Sequence, residues 1–314
     1  APPGPHATEV WRTMRDEATT SESLLLRAVW AGLPAALAPL LTERARISQW
    51  SAQQSLDFLD RHALRPPVWL HILDRNGESD LRAELAAAGF TCQATGSALQ
   101  VRGKSGVYEL AAYRAGTIEV QDLASQGIGE AVAAQPGDLI WDSCAGAGGK
   151  SLQLAAALAG QGTVYATDLH DSKLNDLRKR AKRAKLGNIR ASLWDGQQIP
   201  DFGAEVNAQG GFDRVLVDAP CSGAGTWRRN VDGRLRFDGQ NLIPWTDVQS
   251  HLLALTAQAV RPGGHLIYAT CSWLTAENEA VRDGFLAAHP QWRCTTSSLG
   301  GNPQADSDTT FWAV

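Results

Sequence analysis

From residue 138 onward, short apolar runs alternate with stretches of helical length along the chain. We predict strands at 138–142, 163–167, 189–193, 212–217 and 265–270, and helices at 148–159, 172–185, 246–260 and 275–288. Strands that are continuously apolar are buried on both faces, and helical crossovers make neighbouring strands parallel. The pattern therefore predicts an α/β fold with a doubly wound, mostly parallel sheet.

The first 126 residues have a different pattern. Residues 21–64 are predicted to be helical, with a first helix that ends at Gly32-Leu33-Pro34 and a second at 48–64. A small α/β module follows, with a strand at 68–73, a turn at Asn76-Gly77, a helix at 80–88, and extended stretches at 99–101, 107–110 and 117–120. We predict three parts: a helical region (1–66), the small module (67–126) and the large α/β domain (127–314).

Composition narrows the class of protein. With 314 residues, 44% hydrophobic and 20% charged, the chain has ordinary globular values. No run approaches the ~20 apolar residues of a membrane span, and Ala1-Pro2-Pro3-Gly4-Pro5 does not resemble a signal peptide. We therefore expect a cytoplasmic protein. The sequence gives no oligomeric state, and a monomer is our default expectation. A net charge of −4 argues against a chain coated with basic charge, but not against a local basic cleft.

The five cysteines are Cys92, Cys144, Cys221, Cys271 and Cys294. Their scattered spacing includes no CxxC and no zinc-like cluster with histidine, so we expect free thiols and no metal. Buried cysteines are common as small hydrophobic residues, which is the interpretation we favour for Cys92, Cys144 and Cys294.

Polar residues follow the predicted strands where ligands bind in an open parallel sheet. A glycine-rich segment, Asp142 to Lys150, follows the first of these strands. Its spacing is not that of a P-loop, and a simple tight turn between strand and helix is the alternative interpretation. Asp168 and Asp195 end the next two strands, where an acid accepts hydrogen bonds from ribose hydroxyls. Because a carboxylate near the loop would repel a pyrophosphate, the pattern favours S-adenosylmethionine over a dinucleotide.

Two cysteine motifs follow the fourth and fifth strands. They are Asp218-Ala-Pro-Cys221-Ser-Gly and Thr270-Cys271-Ser272. A thiolate is strongly nucleophilic at modest pKa, so a cysteine suits conjugate addition to a substrate. Because the two cysteines follow adjacent strand ends, we expect their thiols to meet at one point of the sheet edge.

These motifs resemble those of RNA cytosine-C5 methyltransferases of the Nop/Sun (Fmu) type, and most of all the bacterial enzymes that act on small-subunit ribosomal RNA. The resemblance covers roughly residues 65–314 and includes Val120-Gln121-Asp122, Ala124-Ser125 and Arg228-Arg229. One departure is Ala147, where the family usually has proline. The resemblance implies a Rossmann-like methyltransferase sheet, an RNA-binding-like small module, S-adenosylmethionine as cofactor and RNA, most of all ribosomal RNA, as substrate.

The resemblance also implies roles for single residues. Cys271 would attack carbon 6 of the cytosine, Asp218 would bind the N3 and amino edge, and Cys221 would assist release of the adduct. Lys150 would lie near the catalytic centre or the cofactor carboxylate, with a solvated helix lysine as the alternative. The expected cofactor contacts are Cys144, Ala145, Gly146, Ala147, Gly148, Gly149, Lys150, Asp168, Asp195 and Asp218.

Two groups of residues are candidates for RNA contact. Arg228, Arg229, Arg234 and Arg236 follow the Cys221 motif, and we expect them to contact the RNA backbone. The segment from Lys173 to Lys185 is rich in basic residues, but its charges circle the helix, so a solvated helix is equally compatible. Trp227 and Trp273 could stack a base, although core packing is the simpler account.

Other functions remain to be weighed. The cysteine pair speaks against a small-molecule methyltransferase on the same sheet. There are two alternatives: a tRNA cytosine-C5 methyltransferase, and a catalytically silent RNA-binding factor of ribosome assembly. Binding of RNA without methyl transfer would indicate the silent factor.

Overall fold

A computed structural model describes residues 28, 31–34, 37–74, 77–103, 106–237 and 242–314. The predicted first helix lies almost entirely outside these residues, as does Asn76 of the predicted turn. Within the described part of the chain, no helix has the length and apolar character that a membrane crossing requires.

The described residues of the N-terminal region include helices α1 (Ala38–Ile47) and α2 (Ala52–His62). The predicted helix at 48–64 begins four residues later than expected, because Ser51 and Gln54 form a capping box that fixes its first turn. Helix α1 is tied to the large domain by the buried Arg44, whose Nε donates to the carbonyl of Trp273 at 2.6 Å and whose guanidinium pairs with Glu279. These helices therefore pack directly on the large domain.

The small module consists of β1 (Val68–Ile72), α3 (Glu78–Ala87), β2 (Thr91–Thr95), β3 (Ala98–Arg102), α4 (Ala111–Ala115) and β4 (Ile118–Val120). Its sheet has the order β2-β3-β1-β4 and is antiparallel throughout. Strand β2 was not predicted, because it is largely exposed and has no apolar run. The extended stretch predicted at 107–110 is wrong: Val107–Glu109 form a 3-10 turn.

One face of this small sheet packs against the large domain. Trp69 Nε1 donates to the carbonyl of Asp306 at 2.9 Å. The buried Glu119 pairs with Arg180, at 3.0 Å, and with Arg183. Helix α5 (Leu123–Val132) runs across the boundary that we placed at residue 127. The three-part division stays a prediction.

The large sheet comprises β5 (Leu139–Asp142), β6 (Thr163–Asp168), β7 (Ile189–Leu193), β8 (Phe212–Asp218), β9 (Val260–Thr270), β10 (Ser297–Gly301) and β11 (Thr309–Ala313). In the described part of the chain its order is β10-β11-β9-β8-β5-β6-β7. Strands β5 to β9 are parallel to one another, as predicted, whereas β10 and β11 form an antiparallel hairpin that was not predicted.

The helices of this domain are α6 (Gly149–Ala157), α7 (Asp171–Arg183), α8 (Ala204–Gln209), α9 (Val231–Arg236), α10 (Ile243–Ala257) and α11 (Glu279–Ala288). Helices α8 and α9, of six residues each, were not predicted. The last helix begins four residues later than predicted, because residues 275–278 form turns. The fully buried Trp227 and Trp273 share a core cluster with Phe58, so core packing is the correct account of these tryptophans.

The backbone conformation at position 148 explains why a glycine occupies this position in the loop between β5 and α6. Its φ is +87°, and a Cβ there would lie 2.5 Å from Leu177 Cγ. We expect Gly148→Ala to lower the free energy of unfolding by about 1–3 kcal/mol, through left-handed strain and overpacking against α7. Chemical denaturation measures the change.

The matched control is Gly149→Ala. A Cβ at Gly149 would meet no atom within 4 Å among the described residues, so we expect a change of no more than about 0.5 kcal/mol. Equal destabilisation by both substitutions would contradict this account of the loop.

Candidate active site

The chain reverses its direction of winding between β5 and β8, which are neighbours in the sheet. Ligands of open α/β sheets bind at such a switch point. There Lys150 Nζ, from the start of α6, donates to Asp218 Oδ2, at the end of β8, at 2.6 Å. Burial opposes the charged form of Lys150, but attraction to Asp218 outweighs it and raises the pKa of the lysine. With a side chain only 14% exposed, Lys150 is not a solvated helix lysine.

Asp168 organises the glycine-rich loop from the end of β6. Its Oδ2 accepts from the backbone N–H of Gly146 at 2.9 Å, and its Oδ1 accepts from that of His170 at 2.9 Å. Asp142, at the end of β5, accepts from Ser151 Oγ at 2.6 Å, and burial raises the pKa of this carboxyl to about 7. The loop is thus a fixed structure with its polar groups held in place.

Space for a ligand lies over this loop. A Cβ on Gly146 or Gly149 would meet no atom of the described residues within 4 Å. Leu169, next to Asp168, is 65% exposed although it is apolar. Asp195, after β7, is exposed, and its Oδ1 accepts from the backbone N–H of Gln197 at 2.9 Å. Acids, free space and an apolar side chain therefore surround the glycine-rich loop. Leu169 was not predicted as a site residue, because a single exposed leucine gives no signal in the sequence.

The two cysteines of the motifs lie together, as expected. Strands β8 and β9 are neighbours, and the loops after them place Cys221 Sγ 3.3 Å from Cys271 Sγ. The contact with Cys271, burial and the nearby Glu277 carboxylate raise the pKa of Cys221 well above that of an ordinary thiol. The surroundings of Cys221 therefore favour its thiol form.

The charges around the two sulfurs differ in sign. Lys150 and Arg229 lie within electrostatic range of Cys271, whereas Glu277 lies within range of Cys221. Charged groups of both signs therefore surround the pair of sulfurs.

The remaining cysteines are parts of hydrophobic packing. Cys144 and Cys294 pack against the main core cluster of the large domain, and Cys92 packs against the core of the small module. Burial raises the pKa of the Cys144 thiol strongly. Among the residues that the structure describes, no cluster of three or more histidine, cysteine, aspartate or glutamate side chains could hold a metal ion.

The four arginines expected to contact RNA have protein partners. Arg228 is buried and lies 2.9 Å from Asp306 Oδ1, so in this structure it is not available to a phosphate. The other three pairs are Arg229 Nε with Asp308 Oδ2 at 2.9 Å, Arg234 Nη1 with the carbonyl of Ala31 at 3.0 Å, and Arg236 Nη2 with Asp232 Oδ2 at 2.8 Å. Phosphate contact stays a prediction for the more exposed members, Arg229 and Arg236.

The basic segment around α7 also has a structural role. Arg180 and Arg183 bind Glu119 of the small module, and Arg183 stacks on Tyr113. Lys179 pairs with Asp176 at 3.3 Å on the exposed side of the helix. The segment is therefore partly an interface between the two units, an explanation that sequence reasoning did not consider.

Comparison with known proteins decides the family. The family model described as 16S rRNA methyltransferase RsmB/F matches residues 130–311. The chain belongs to this family. The resemblance drawn from the motifs is thereby confirmed.

Two curated relatives illustrate the similarity. The probable ribosomal RNA small subunit methyltransferase B of Synechocystis sp. is 36% identical over 197 residues, which are 62% of this chain and 43% of the relative. The ribosomal RNA small subunit methyltransferase B of Klebsiella pneumoniae is 31% identical over 263 residues, 82% of this chain and 59% of the relative. The chain spans about half the length of these relatives.

A solved structure supports the fold. The crystal structure of a methyltransferase homolog protein from Pyrococcus horikoshii superposes with a TM-score of 0.69 at 20% identity, and covers 93% of this chain and 98% of that one. At this level of identity the likeness concerns the fold alone. The predicted Rossmann-like methyltransferase fold is confirmed.

Proposed function

We propose that this protein transfers a methyl group from S-adenosylmethionine to carbon 5 of a cytosine in RNA, with small-subunit ribosomal RNA as the substrate. The observation that carries the proposal is the pair of sulfurs 3.3 Å apart, with cations near Cys271 and a carboxylate near Cys221. Family membership supports an RNA substrate.

The pair of cysteines suits the methylation of carbon 5 of cytosine. Carbon 5 of cytosine is too weakly nucleophilic to take a methyl group directly. The Cys271 thiolate adds to carbon 6, which raises the electron density at carbon 5. Asp218 lies at the N3 and amino edge of the ring, where its carboxylate accepts a hydrogen bond from the amino N–H and orients the base, and Lys150 holds this carboxylate in place. After methylation, water takes the proton from carbon 5, the electrons of that C–H bond restore the double bond between carbons 5 and 6, and the Cys271 sulfur leaves as a thiolate. The Cys221 thiol beside it assists release by donating a hydrogen bond to the departing sulfur.

The residues present fit the cofactor. Gly146 and Gly149 of the loop border open space, Asp168 lies at the strand end where a ribose is bound, and the exposed Leu169 offers an apolar surface to an adenine. When bound, S-adenosylmethionine supplies the methyl group. The chain itself contributes a rigid loop and acids that bind and orient it. Cys144 to Lys150, Asp168, Asp195 and Asp218 remain the proposed contacts.

The cofactor proposal predicts the effect of one substitution. We expect Asp168→Ala to raise the Kd for S-adenosylmethionine roughly 10- to 100-fold, because hydrogen bonds to a charged acceptor are lost. Isothermal titration calorimetry measures the Kd, with Asp176→Ala, an exposed acid on α7, as the control. An unchanged Kd in a folded Asp168→Ala protein would contradict the ribose role.

The substrate is tested by methyl transfer to unmodified transcripts. We expect labelled methyl groups from S-adenosylmethionine in a small-subunit ribosomal RNA transcript and not in transfer RNA transcripts. Labelled transfer RNA would indicate the tRNA alternative. Binding of RNA and cofactor without transfer would indicate a silent assembly factor.

The proposed RNA substrate raises the question of where the small module could contact RNA. The small module's RNA-binding-like character is proposed, and Trp69 and Glu119 show that one face of its sheet is already covered by the large domain. Any RNA contact by the module therefore uses another surface. The cytoplasmic location, the monomeric state and the absence of a metal cofactor stay predictions.

A further inference from the structure

A fully buried carboxylate holds the loop that carries Cys221. Glu277 Oε1 accepts from the backbone N–H of Ser222 at 2.8 Å, and Oε2 accepts from Ser222 Oγ at 2.6 Å. Gln249, on α10, donates to the same carboxylate at 3.2 Å and to the carbonyl of Pro220 at 2.9 Å. The residues on either side of Cys221 are thus fixed through Glu277 and its partner.

The next residue along the chain holds the other cysteine loop. Asn278, also fully buried, accepts from Thr270 Oγ1 at 2.6 Å and donates to the carbonyl of Ser272 at 2.9 Å. These two partners flank Cys271. Two consecutive side chains therefore bind the neighbours of both cysteines.

The two loops also meet between these anchors. Ser222 Oγ lies 3.4 Å from Ser272 Oγ, beside the pair of sulfurs that are 3.3 Å apart. Loops without such anchors sample several positions, and an error of about 1 Å in a reacting group can cost roughly 100-fold in rate. Both sulfurs need a fixed place if one is to attack the base and the other is to act beside it.

We propose that Glu277 and Asn278 are positioning residues: Glu277 fixes the loop of Cys221, Asn278 fixes the loop of Cys271, and together they set the distance between the sulfurs. The proposal rests on the proposed function for its role in catalysis. The fixed distance itself is a property of the protein without RNA.

The distance can be tested without substrate, by the equilibrium of the two thiols with glutathione. Cys221 and Cys271 give up two hydrogens to oxidised glutathione, which becomes two molecules of reduced glutathione, and a disulfide forms between the cysteines. The equilibrium constant measures the effective concentration of one thiol at the other. Mass spectrometry of alkylated peptides reports the Cys221–Cys271 pair separately from the other cysteines.

We expect Glu277→Gln and Asn278→Ala each to lower this effective concentration roughly 10- to 100-fold. Asp283→Asn, which removes an exposed charge on α11, is expected to leave it unchanged. Ser222→Ala removes one contact to Glu277 and serves if Glu277→Gln does not fold. Unchanged equilibrium constants in all folded variants of the two anchors would overturn the proposal, whatever the reaction of the protein.

The RNA reaction gives a second readout, in which the two variants differ in direction. With the Cys221 loop displaced, Glu277→Gln accumulates covalent RNA adduct, because release is slowed. With the nucleophile displaced, Asn278→Ala forms less adduct than the wild type. General loss of stability lowers both, so equal losses of adduct would overturn the separate roles. If the thiol equilibrium shifts as expected but no variant ever forms an adduct, the proposed function fails and the positioning of the thiols stands.

Discussion

A Cys271→Ala protein is expected to transfer methyl groups to RNA at a rate at least about a thousandfold below the wild type, because loss of a covalent nucleophile removes the pathway itself. Without attack at carbon 6, carbon 5 stays too poor in electrons to accept the methyl group. Transfer of labelled methyl from S-adenosylmethionine to the RNA transcript measures the rate. The Kd for S-adenosylmethionine is expected to stay unchanged, since the cofactor loop follows a different strand.

The control for this substitution is Cys294→Ala, which removes a thiol that packs against the core cluster and donates to the carbonyl of Thr296. Its methyl transfer rate is expected to remain that of the wild type. Full activity in the Cys271→Ala protein would refute the assignment of the nucleophile. Methyl transfer that persists in Cys271→Ala and is lost in Cys221→Ala without any covalent adduct would reverse the roles of the two thiols.

Cys221→Ala is expected to stop turnover at a different stage. The Cys271 thiolate still attacks the base, but no thiol lies beside it to assist release, so the protein remains bonded to its RNA. We expect a band of protein joined to RNA under denaturing conditions, at a yield near one RNA per protein. Gel electrophoresis followed by ribonuclease treatment identifies this band.

The control is the Cys221→Ala/Cys271→Ala double variant, which is expected to form no such band. An adduct that persists in the double variant would place the covalent bond on another residue. A Cys221→Ala protein that turns over at the wild-type rate would show that release does not depend on this thiol.

The large domain was predictable because its central strands contain buried apolar runs that helical segments separate. Strands β5 and β6 are buried over their whole length, and β8 and β9 are buried towards their carboxyl ends, whereas the edge strand β7 is largely exposed. Strand β2 and the hairpin of β10 and β11 lack this signal: β2 is largely exposed, and Ser297–Gly301 contain small and polar residues. Pairing with a neighbouring strand makes them strands, and pairing is not encoded in a local pattern.

Some residues of the candidate site could be predicted from the sequence, and others could not. The motifs placed Asp218, Cys221 and Cys271 at adjacent strand ends, which follows from topology. Glu277 and Asn278 were missed because they were predicted to lie inside a helix at 275–288, and their burial is not visible in the sequence. Arg228 shows the opposite error: a positive charge beside the site suggested RNA, whereas its partner, Asp306, lies far along the chain.

The identity of the modified atom tests the central claim most directly. RNA methylated by the wild-type protein with labelled S-adenosylmethionine is digested to nucleosides and separated by liquid chromatography with mass spectrometry. Our account predicts that the label is found in 5-methylcytidine and that Cys271→Ala eliminates it. Label in any other methylated nucleoside would contradict the proposed attack at carbon 6, and with it the role assigned to the pair of cysteines.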